Sequence, residues 1–293
     1  MANLKEIRSR ITSVNSTKQI TSAMKMVSAA KLRKAQDAII QMRPYASKLH
    51  EILENLSSSL DVSENEYAKE RAAERVLIVS ITSNRGLCGA FNNNVIKRVK
   101  SIIQDYPNAD VKVLSIGKKS FESFKKTSYN PGAGYPSNPH EIYEDLTFEQ
   151  SSIIAQAIMD KYIEGKLDKV FLVYNSFKNA AMQILKTEQF LPIASTPSED
   201  ADASETQSDY IFEPNKEEIV TELIPKSLKI QLYKGLLDSH AAEHGARMTA
   251  MHKATDNATE LSKELKLKYN KARQASITNE ILEIVSGAEA LNG

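Results

Sequence analysis

The sequence predicts an α/β protein in which the N- and C-terminal helices form a long antiparallel coiled coil and the middle forms a Rossmann-like α/β domain. Two observations predict the coiled coil: residues 3–43 contain neither proline nor glycine, and residues 226–291 contain no proline. A third predicts the domain, because short apolar runs typical of strands buried on both faces lie between the helical stretches.

These observations divide the chain into four parts. They are an N-terminal coiled-coil helix at 1–60, an α/β domain at 75–195, an acidic loop with a short strand at 196–214, and a C-terminal coiled-coil helix at 215–293. Helices so far apart in sequence bury their apolar residues against each other or against a partner. A helical bundle core is the alternative interpretation, and the domain between the helices favours the coiled coil.

Apolar residues of the first helix recur at spacings of three and four, as in a coiled-coil seam. The first part of the seam is Leu4, Ile7, Ile11 and Val14. The polar residues 15–19 interrupt this register, which predicts a local change of supercoil near Thr17. We expect the seam to resume at Ile20, Met24, Val27, Leu32, Ala35, Ile39 and Met42.

The last helix shows the same spacing in two successive seams. The first consists of Ala258, Leu261, Leu265, Tyr269 and Ala272, and the second of Ile277, Ile281, Ile284, Ala288 and Leu291. Since the seams of the last helix together are longer than the seam of the first helix, we expect the C-terminal end of the last helix to extend beyond its partner. The sequence therefore predicts a single helix at the C-terminal tip.

The middle of the chain alternates apolar strands with amphipathic helices. Strands are predicted at 76–81, 111–116 and 170–174, with an edge strand at 180–190 and a helix at 148–163. This β-α-β order predicts a mostly parallel sheet with right-handed crossovers.

Composition excludes several classes of protein. The net charge is +1, so the whole chain has no general attraction to nucleic acid, and one cysteine, Cys88, cannot form an internal disulfide. No window approaches 18 consecutive apolar residues, so no membrane span is predicted. The first 50 residues carry ten lysines and arginines against two acids, which predicts a basic first helix.

The glycine-containing loop at 83–92 is the strongest candidate for a ligand site. A glycine-rich turn between a strand and a helix can present backbone N–H groups to a phosphate. Its spacing is G-x-x-G, however, and no lysine follows at the position that a P-loop requires. A structural turn is the favoured interpretation, with residues 92–94 capping the next helix, and a nucleotide site remains the alternative.

Histidine and cysteine positions suggest little chemistry. His240 and His244 lie four residues apart on one helix, but the order H-A-A-E-H differs from that of a zinc-binding H-E-x-x-H. We therefore interpret both as solvated helix residues and expect Cys88 to be packed rather than nucleophilic. No catalytic spacing of serine, histidine and acid is present.

Six segments of the chain together resemble one family. They are residues 7–34, 83–92, 247–251, 254–257, 269–280 and 286–288. These segments are similar to the N-terminal helix, the first βα loop and the C-terminal signature of the γ subunit of F-type ATP synthases. The resemblance covers essentially the whole chain.

The resemblance implies a rotary shaft that performs no chemistry and binds no cofactor or metal. Its implied partners are three α and three β subunits, the ε subunit and the membrane c-ring, with no nucleic acid. Contact with the membrane would come only through the complex. The implied location is the cytoplasmic face of the bacterial inner membrane, because no transit peptide is recognised.

The resemblance also implies which residues make contacts. Coupling contacts with the ring fall on Met24, Lys25, Arg247, Gln274, Thr278 and Glu280. Lys25 departs from the family, in which glutamate is common at this position. Tyr210, Phe212 and Glu213 resemble the foot that meets the c-ring and ε subunit.

Two other functions remain open. A nucleotide-binding α/β protein with a coiled-coil oligomerisation arm would bind nucleotide as an isolated chain. A coiled coil that binds nucleic acid would show affinity that falls steeply with salt.

Overall fold

The computed structural model describes residues 4–57, 66–132, 134–136, 138–193 and 216–292. The chain forms two compact units, one comprising residues 30–246 and the other residues 1–29 with 247–293. The elements are α1 (Leu4–Ser57), β1 (Arg75–Ile81), α2 (Phe91–Asp105), β2 (Asp110–Ile116), α3 (Lys118–Phe124), a 3-10 turn (Glu141–Tyr143), α4 (Phe148–Ile163), β3 (Lys169–Phe177), β4 (Gln183–Leu191) and α5 (Lys216–Asn292). Helix α1 continues through Pro44, and helix α5 continues through Pro225.

The larger unit is built on a four-stranded sheet with the order β2-β1-β3-β4. Strand β1 pairs in parallel with β2 and β3, whereas β4 pairs antiparallel with β3 at the edge. This confirms the predicted mostly parallel sheet with an edge strand near residues 180–190.

Apolar layers cover both faces of this sheet because alternate residues of a strand point to opposite sides. Val76 and Ile78 of β1 belong to the cluster that contains the apolar face of α2. Leu77 and Val79 belong to the cluster that contains residues of α4 and of the first part of α5. The sheet is therefore the middle of three layers, and the residues of β1 from Val76 to Ile81 are fully buried on both faces.

An ion pair joins the beginnings of β1 and β3. Asp168 is buried, and its Oδ1 accepts a hydrogen bond of 2.8 Å from Arg75 Nη2. Its Oδ2 accepts from the backbone N–H and from Nε of the same arginine. Burial opposes ionisation of Asp168, but these hydrogen bonds outweigh it and hold its pKa below the ordinary value.

The smaller unit is an antiparallel pair of helices. Thr21 Oγ1 of α1 lies 2.8 Å from Thr255 Oγ1 of α5, and Ser262 Oγ donates to Asn15 Oδ1 at 2.9 Å. The later residue on α5, Ser262, pairs with the earlier residue on α1, Asn15, so the two helices run in opposite directions. The coiled coil predicted from the sequence is therefore antiparallel, as expected.

The predicted interruption of the α1 seam near Thr17 is wrong. Thr21 and Ser28 are buried, whereas Ile20 and Val27, which we expected in the seam, are 60% and 58% exposed. Residues 16–20 are exposed, but Thr21 and Ser28 follow Val14 at intervals of seven residues, so the register of the seam continues across the polar stretch. Hydroxyl groups are tolerated there because they bond to carbonyls one turn back, as Ser28 Oγ does to Met24 O at 2.8 Å.

The seams predicted on α5 also need correction. Ser262 is buried in place of Leu261, which is exposed. The seam predicted from Ile277 onward is not buried at all, since every described side chain from 277 to 289 is exposed. Extending the register of the two cross-helix hydrogen bonds places Leu4 opposite residues 272–273, so α5 continues beyond the first described residue of its partner helix.

Over the part of the chain that the structure describes, none of the helices is long and apolar enough to cross a membrane.

Candidate functional site

The predicted coupling residues of the first group lie where the two helices are paired. Met24 and Lys25 are half-buried on α1, and Arg247 on α5 is only 6% exposed. A guanidinium group with so little exposure is held by its surroundings rather than by solvent. The burial of this arginine could not be predicted from the sequence, because its neighbours include both polar and apolar residues.

The second group lies where α5 has no described partner. Gln274, Thr278 and Glu280 are exposed. Thr278 Oγ1 donates to Gln274 O at 2.9 Å, and Ser276 Oγ donates to a Glu280 carboxylate oxygen at 3.2 Å. Local bonds along the helix thus orient the Thr278 and Glu280 side chains, and the two groups of coupling residues occupy different parts of the unit.

The predicted foot residues, Tyr210, Phe212 and Glu213, lie outside the described residues.

An exposed apolar surface surrounds the second group of coupling residues. Its members are Ile277, Ile281, Leu282, Ile284 and Val285, with exposures from 46% to 72%. Exposed apolar patches of this kind mark interaction surfaces, because contact with water is unfavourable for them. The predicted seam does not include Leu282 and Val285, because a single seam lies on one face of a helix and this helix end is apolar on several sides.

The loop at 83–92 is closed by its own side chains. Asn92 Oδ1 accepts from the backbone N–H of Ser83 at 2.9 Å, and Asn92 Nδ2 donates to Ser83 Oγ at 2.9 Å. The predicted capping role of Asn92 is therefore wrong, since helix α2 begins one residue earlier and Asn92 bonds back across the loop. Cys88 is buried, as expected.

Helix α5 packs against this loop at the carboxyl end of β1. Cys88 and Phe91 form an apolar cluster with Ala242 and Ala246 of α5. A β-carbon on Gly245 would lie 3.3 Å from the Phe177 ring, so the helix approaches closely. In doubly wound sheets a ligand occupies the crevice at this end of the strands. The packing of α5 there favours a structural turn over a nucleotide site.

The interpretation of both histidines as solvated residues is wrong. His244 is only 6% exposed and His240 is half-buried. Tyr143 stacks on the His240 ring with centroids 6.0 Å apart. The packing of the 3-10 turn against α5, which the sequence does not reveal, accounts for the difference.

These features define the class of the protein: a coiled-coil subunit whose exposed apolar helix end is suited to a partner, joined in one chain to an α/β domain. The family model described as ATP synthase matches residues 3–291. The chain therefore belongs to the ATP synthase family, and its relatives identify the branch as the γ chains.

Two curated relatives illustrate the similarity. The ATP synthase gamma chain of Flavobacterium psychrophilum is 62% identical over the full length of both chains. That of Christiangramia forsetii is 61% identical, again over both full lengths.

Solved structures show the same fold. A chain of the Euglena gracilis mitochondrial ATP synthase, in a complex of OSCP, F1 and c-ring, aligns with a TM-score of 0.63 and 20% identity, over 98% of this chain and 94% of that one. A chain from the central stalk and c-ring of the Tetrahymena thermophila mitochondrial ATP synthase aligns with a TM-score of 0.57 and 23% identity. The alignment covers 80% of this chain and 99% of that one.

Proposed function

We propose that the chain is the central shaft of an F-type ATP synthase, which couples rotation of a membrane ring to conformational cycling of the catalytic ring. One copy would sit within three α and three β subunits and bind the ε subunit and the c-ring. The observation that carries the proposal is the end of α5, whose apolar side chains from 277 to 285 are exposed on a helix without a described partner. A ring of subunits that surrounds this end would cover those side chains from several directions.

The shaft acts because it makes different contacts with each of the three catalytic sites. To move a catalytic site between two dominant conformations, the contact must favour one of them by about 5.5 kcal/mol. A shaft that presented the same surface to all three sites would shift none of them. The single helix end of α5 and the neighbouring helical pair present different side chains in different directions, which supplies the required asymmetry.

Coupling contacts with the ring are assigned to Met24, Lys25 and Arg247 in the paired part. Gln274, Thr278 and Glu280 are assigned to contacts near the tip. The local bonds of Thr278 and of Ser276 along α5 support this assignment for Thr278 and Glu280, since they hold these two side chains in fixed orientations. Tyr210, Phe212 and Glu213 are assigned to the foot that contacts the c-ring and ε subunit.

The chain contributes no catalytic residues of its own, and the chemistry belongs to the ring. The subunit would lie on the cytoplasmic face of the bacterial inner membrane and be attached to it only through the complex. The boundaries 1–60, 75–195, 196–214 and 215–293 are proposed as its functional parts: shaft helix, α/β domain, foot and shaft helix.

Co-expression with the α and β subunits of the same organism tests this proposal. We expect a complex with one copy of the chain per three α and three β subunits, and ATPase activity that depends on the chain. A Gln274→Ala, Thr278→Ala double variant is expected to assemble but to hydrolyse ATP more slowly. Lys126→Ala, an exposed change on the α/β domain, serves as the matched control.

Failure to assemble, with ATPase activity unaffected by the chain, would contradict the proposal. In that case nucleotide titration of the isolated chain would test the loop at 83–92 as a binding site.

A further inference from the structure

A cavity beside strand β2 involves none of the residues assigned to the shaft contacts. It lies between β2, α3 and the loop after α3, is partly open to solvent, and has a volume of about 80 Å³. Aromatic and proline side chains form most of its wall, namely Phe121, Phe124, Tyr135, Pro131, Pro136 and Pro139. One water needs about 10–15 Å³ of such space, and an enclosed cavity that binds benzene measures about 150 Å³. The cavity therefore has room for the inner edge of a single ring, with the rest of the ring at its open side.

Backbone groups of β2 face this cavity because β2 is an edge strand. Ile116 O accepts a hydrogen bond of 2.8 Å from Thr82 N, so Ile116 faces β1. Alternate residues of a strand direct their backbone N–H and C=O to opposite sides, so Val113 and Ser115 face away from β1. The Val113 N–H accordingly donates to Tyr129 O at 2.7 Å. Both Val113 and Ser115 line the cavity.

The backbone of Ser115 has hydrogen-bonding capacity that the described residues do not use. Ser115 is only 7% exposed, yet no described residue bonds to its N–H or C=O at this edge. Buried backbone groups are nearly always paired, because losing water without gaining a partner is unfavourable. Since the two groups belong to one extended residue, they present a donor and an acceptor side by side. A ligand that pairs with both needs an acceptor next to a donor, as on the amide edge of a planar ring.

Neighbouring side chains restrict the aromatic wall of the cavity. Lys161 Nζ lies 4.3 Å from the centroid of the Tyr135 ring, and the His140 ring lies 6.4 Å from that of Phe121. Burial raises the pKa of Tyr135 to about 12, so its phenol is neutral near pH 7. Phe121 is 43% exposed while it lines the cavity. An aromatic side chain in this position can stack on a planar ring.

Lys125 brings a positive charge to the same cavity. It is exposed and lines the cavity. The neighbouring Lys119 is paired with Glu122 at 2.7 Å, whereas no described acidic side chain forms an ion pair with Lys125. An ammonium group in this position attracts an anion.

We infer that the cavity between β2 and α3 binds a small planar single-ring anion that carries a hydrogen-bond donor next to an acceptor on one edge. The donor and acceptor pair with the backbone C=O and N–H of Ser115. Phe121 stacks on the ring, and the negative charge lies on the far side of the ring, near Lys125. This inference goes beyond the shaft function, which involves no small ligand on the α/β domain.

Titration of the full chain with orotate, followed by two-dimensional ¹H–¹⁵N NMR, tests the site. In orotate the ring N–H and a carbonyl oxygen are adjacent, and the carboxylate lies on the opposite side of the ring. We expect a saturable shift of the Ser115 amide signal. Uracil, which lacks the carboxylate, should bind more weakly, and 1,3-dimethylorotate, whose N–H is blocked, should leave the Ser115 signal unshifted.

Two pairs of variants separate the roles of the ring and of the charge. Phe121→Ala should weaken orotate binding about tenfold through lost stacking. Phe148→Ala is its control, because Phe148 is an exposed aromatic residue that does not line the cavity. Lys125→Gln should lower the affinity for orotate to that for uracil. Lys126→Gln, an exposed change at the next residue, should leave the affinity for orotate unchanged.

The absence of a saturable Ser115 shift with orotate would overturn the inference. Equal binding of 1,3-dimethylorotate would do so as well, since it would show that the backbone of Ser115 takes no part. Equal affinity of Phe121→Ala and Phe148→Ala would exclude this cavity as the site. All of these measurements use the chain without other subunits, so failure here is distinct from failure of the proposed shaft function.

Discussion

The sheet and the helical pair exclude water to different degrees. Strand residues on both faces of β1 are fully inaccessible, from Val76 to Ile81. The seam of the helical pair, by contrast, includes the polar residues Thr21, Ser28 and Ser262. An apolar core contributes most of the free energy of folding, whereas polar residues in a seam specify register at some cost in stability. We infer that the sheet unit supplies stability and that the helical pair supplies a defined alignment.

Removing a core side chain of the sheet unit should have the largest effect. Ile158 of α4 is fully buried, so Ile158→Ala leaves a cavity and should lower the free energy of unfolding by about 2–5 kcal/mol. Ile153→Ala on the same helix is the control, because Ile153 is 62% exposed and its loss should cost less than about 0.5 kcal/mol. Chemical denaturation measures both. Equal costs would show that the water-excluded core does not dominate stability.

The ion pair between β1 and β3 should give a smaller, pH-dependent effect. The pKa of Asp168 is lowered in the folded chain, so its contribution is present above the unfolded pKa of about 3.9 and is lost as the pH falls through the folded pKa. We expect Asp168→Asn to cost about 1–2 kcal/mol at neutral pH. Its stability should also fall less between pH 5 and pH 2 than that of the unmodified chain.

Denaturation midpoints at a series of pH values measure this difference. Lys112→Gln is a control, because Lys112 forms an ion pair with Asp110 near the surface, where such pairs contribute little. Parallel pH profiles for the unmodified chain and Asp168→Asn would contradict the account.

Much of the sheet unit could be predicted from the sequence, whereas less of the helical pair could. Apolar runs in the sequence coincide with β1, β2 and β3, because strands buried on both faces admit few polar residues. Thr21 and Ser28 could not be recognised as seam residues, since their burial depends on hydroxyl bonds to the preceding turn. The exposure of Ile277 and Ile281 could not be predicted either, because apolar periodicity does not reveal whether a partner helix is present.

The hydrogen bond between Thr21 and Thr255 should contribute about 1 kcal/mol to the stability of the helical pair. A double-mutant cycle of Thr21→Val and Thr255→Val measures this coupling, and the double variant should be less destabilised than the sum of the singles. Thr17→Val is the control, because the Thr17 hydroxyl bonds only within its own helix, to Ser13 O at 3.0 Å. Strict additivity would show that this bond does not couple the helices.

Changes at the tip should have the smallest effect on folding and a large one on assembly. Ile284 is 72% exposed, so removing residues 284–293 should change the free energy of unfolding by less than about 0.5 kcal/mol. Torque and complex yield should both fall, because the surface proposed to contact the ring is shortened. Full ATP-driven torque and normal yield in this truncation would count against the tip as a contact surface.

Single-molecule rotation tests the central claim most directly. A cysteine introduced at Lys126 provides an exposed attachment point, since the native Cys88 is only 2% exposed. With the α and β ring fixed to a surface and ATP supplied, the account predicts rotation of the attached probe in one direction. The steps should be about one third of a turn, from the symmetry of three equivalent catalytic sites. ATP hydrolysis by the intact complex without rotation of the probe would contradict it.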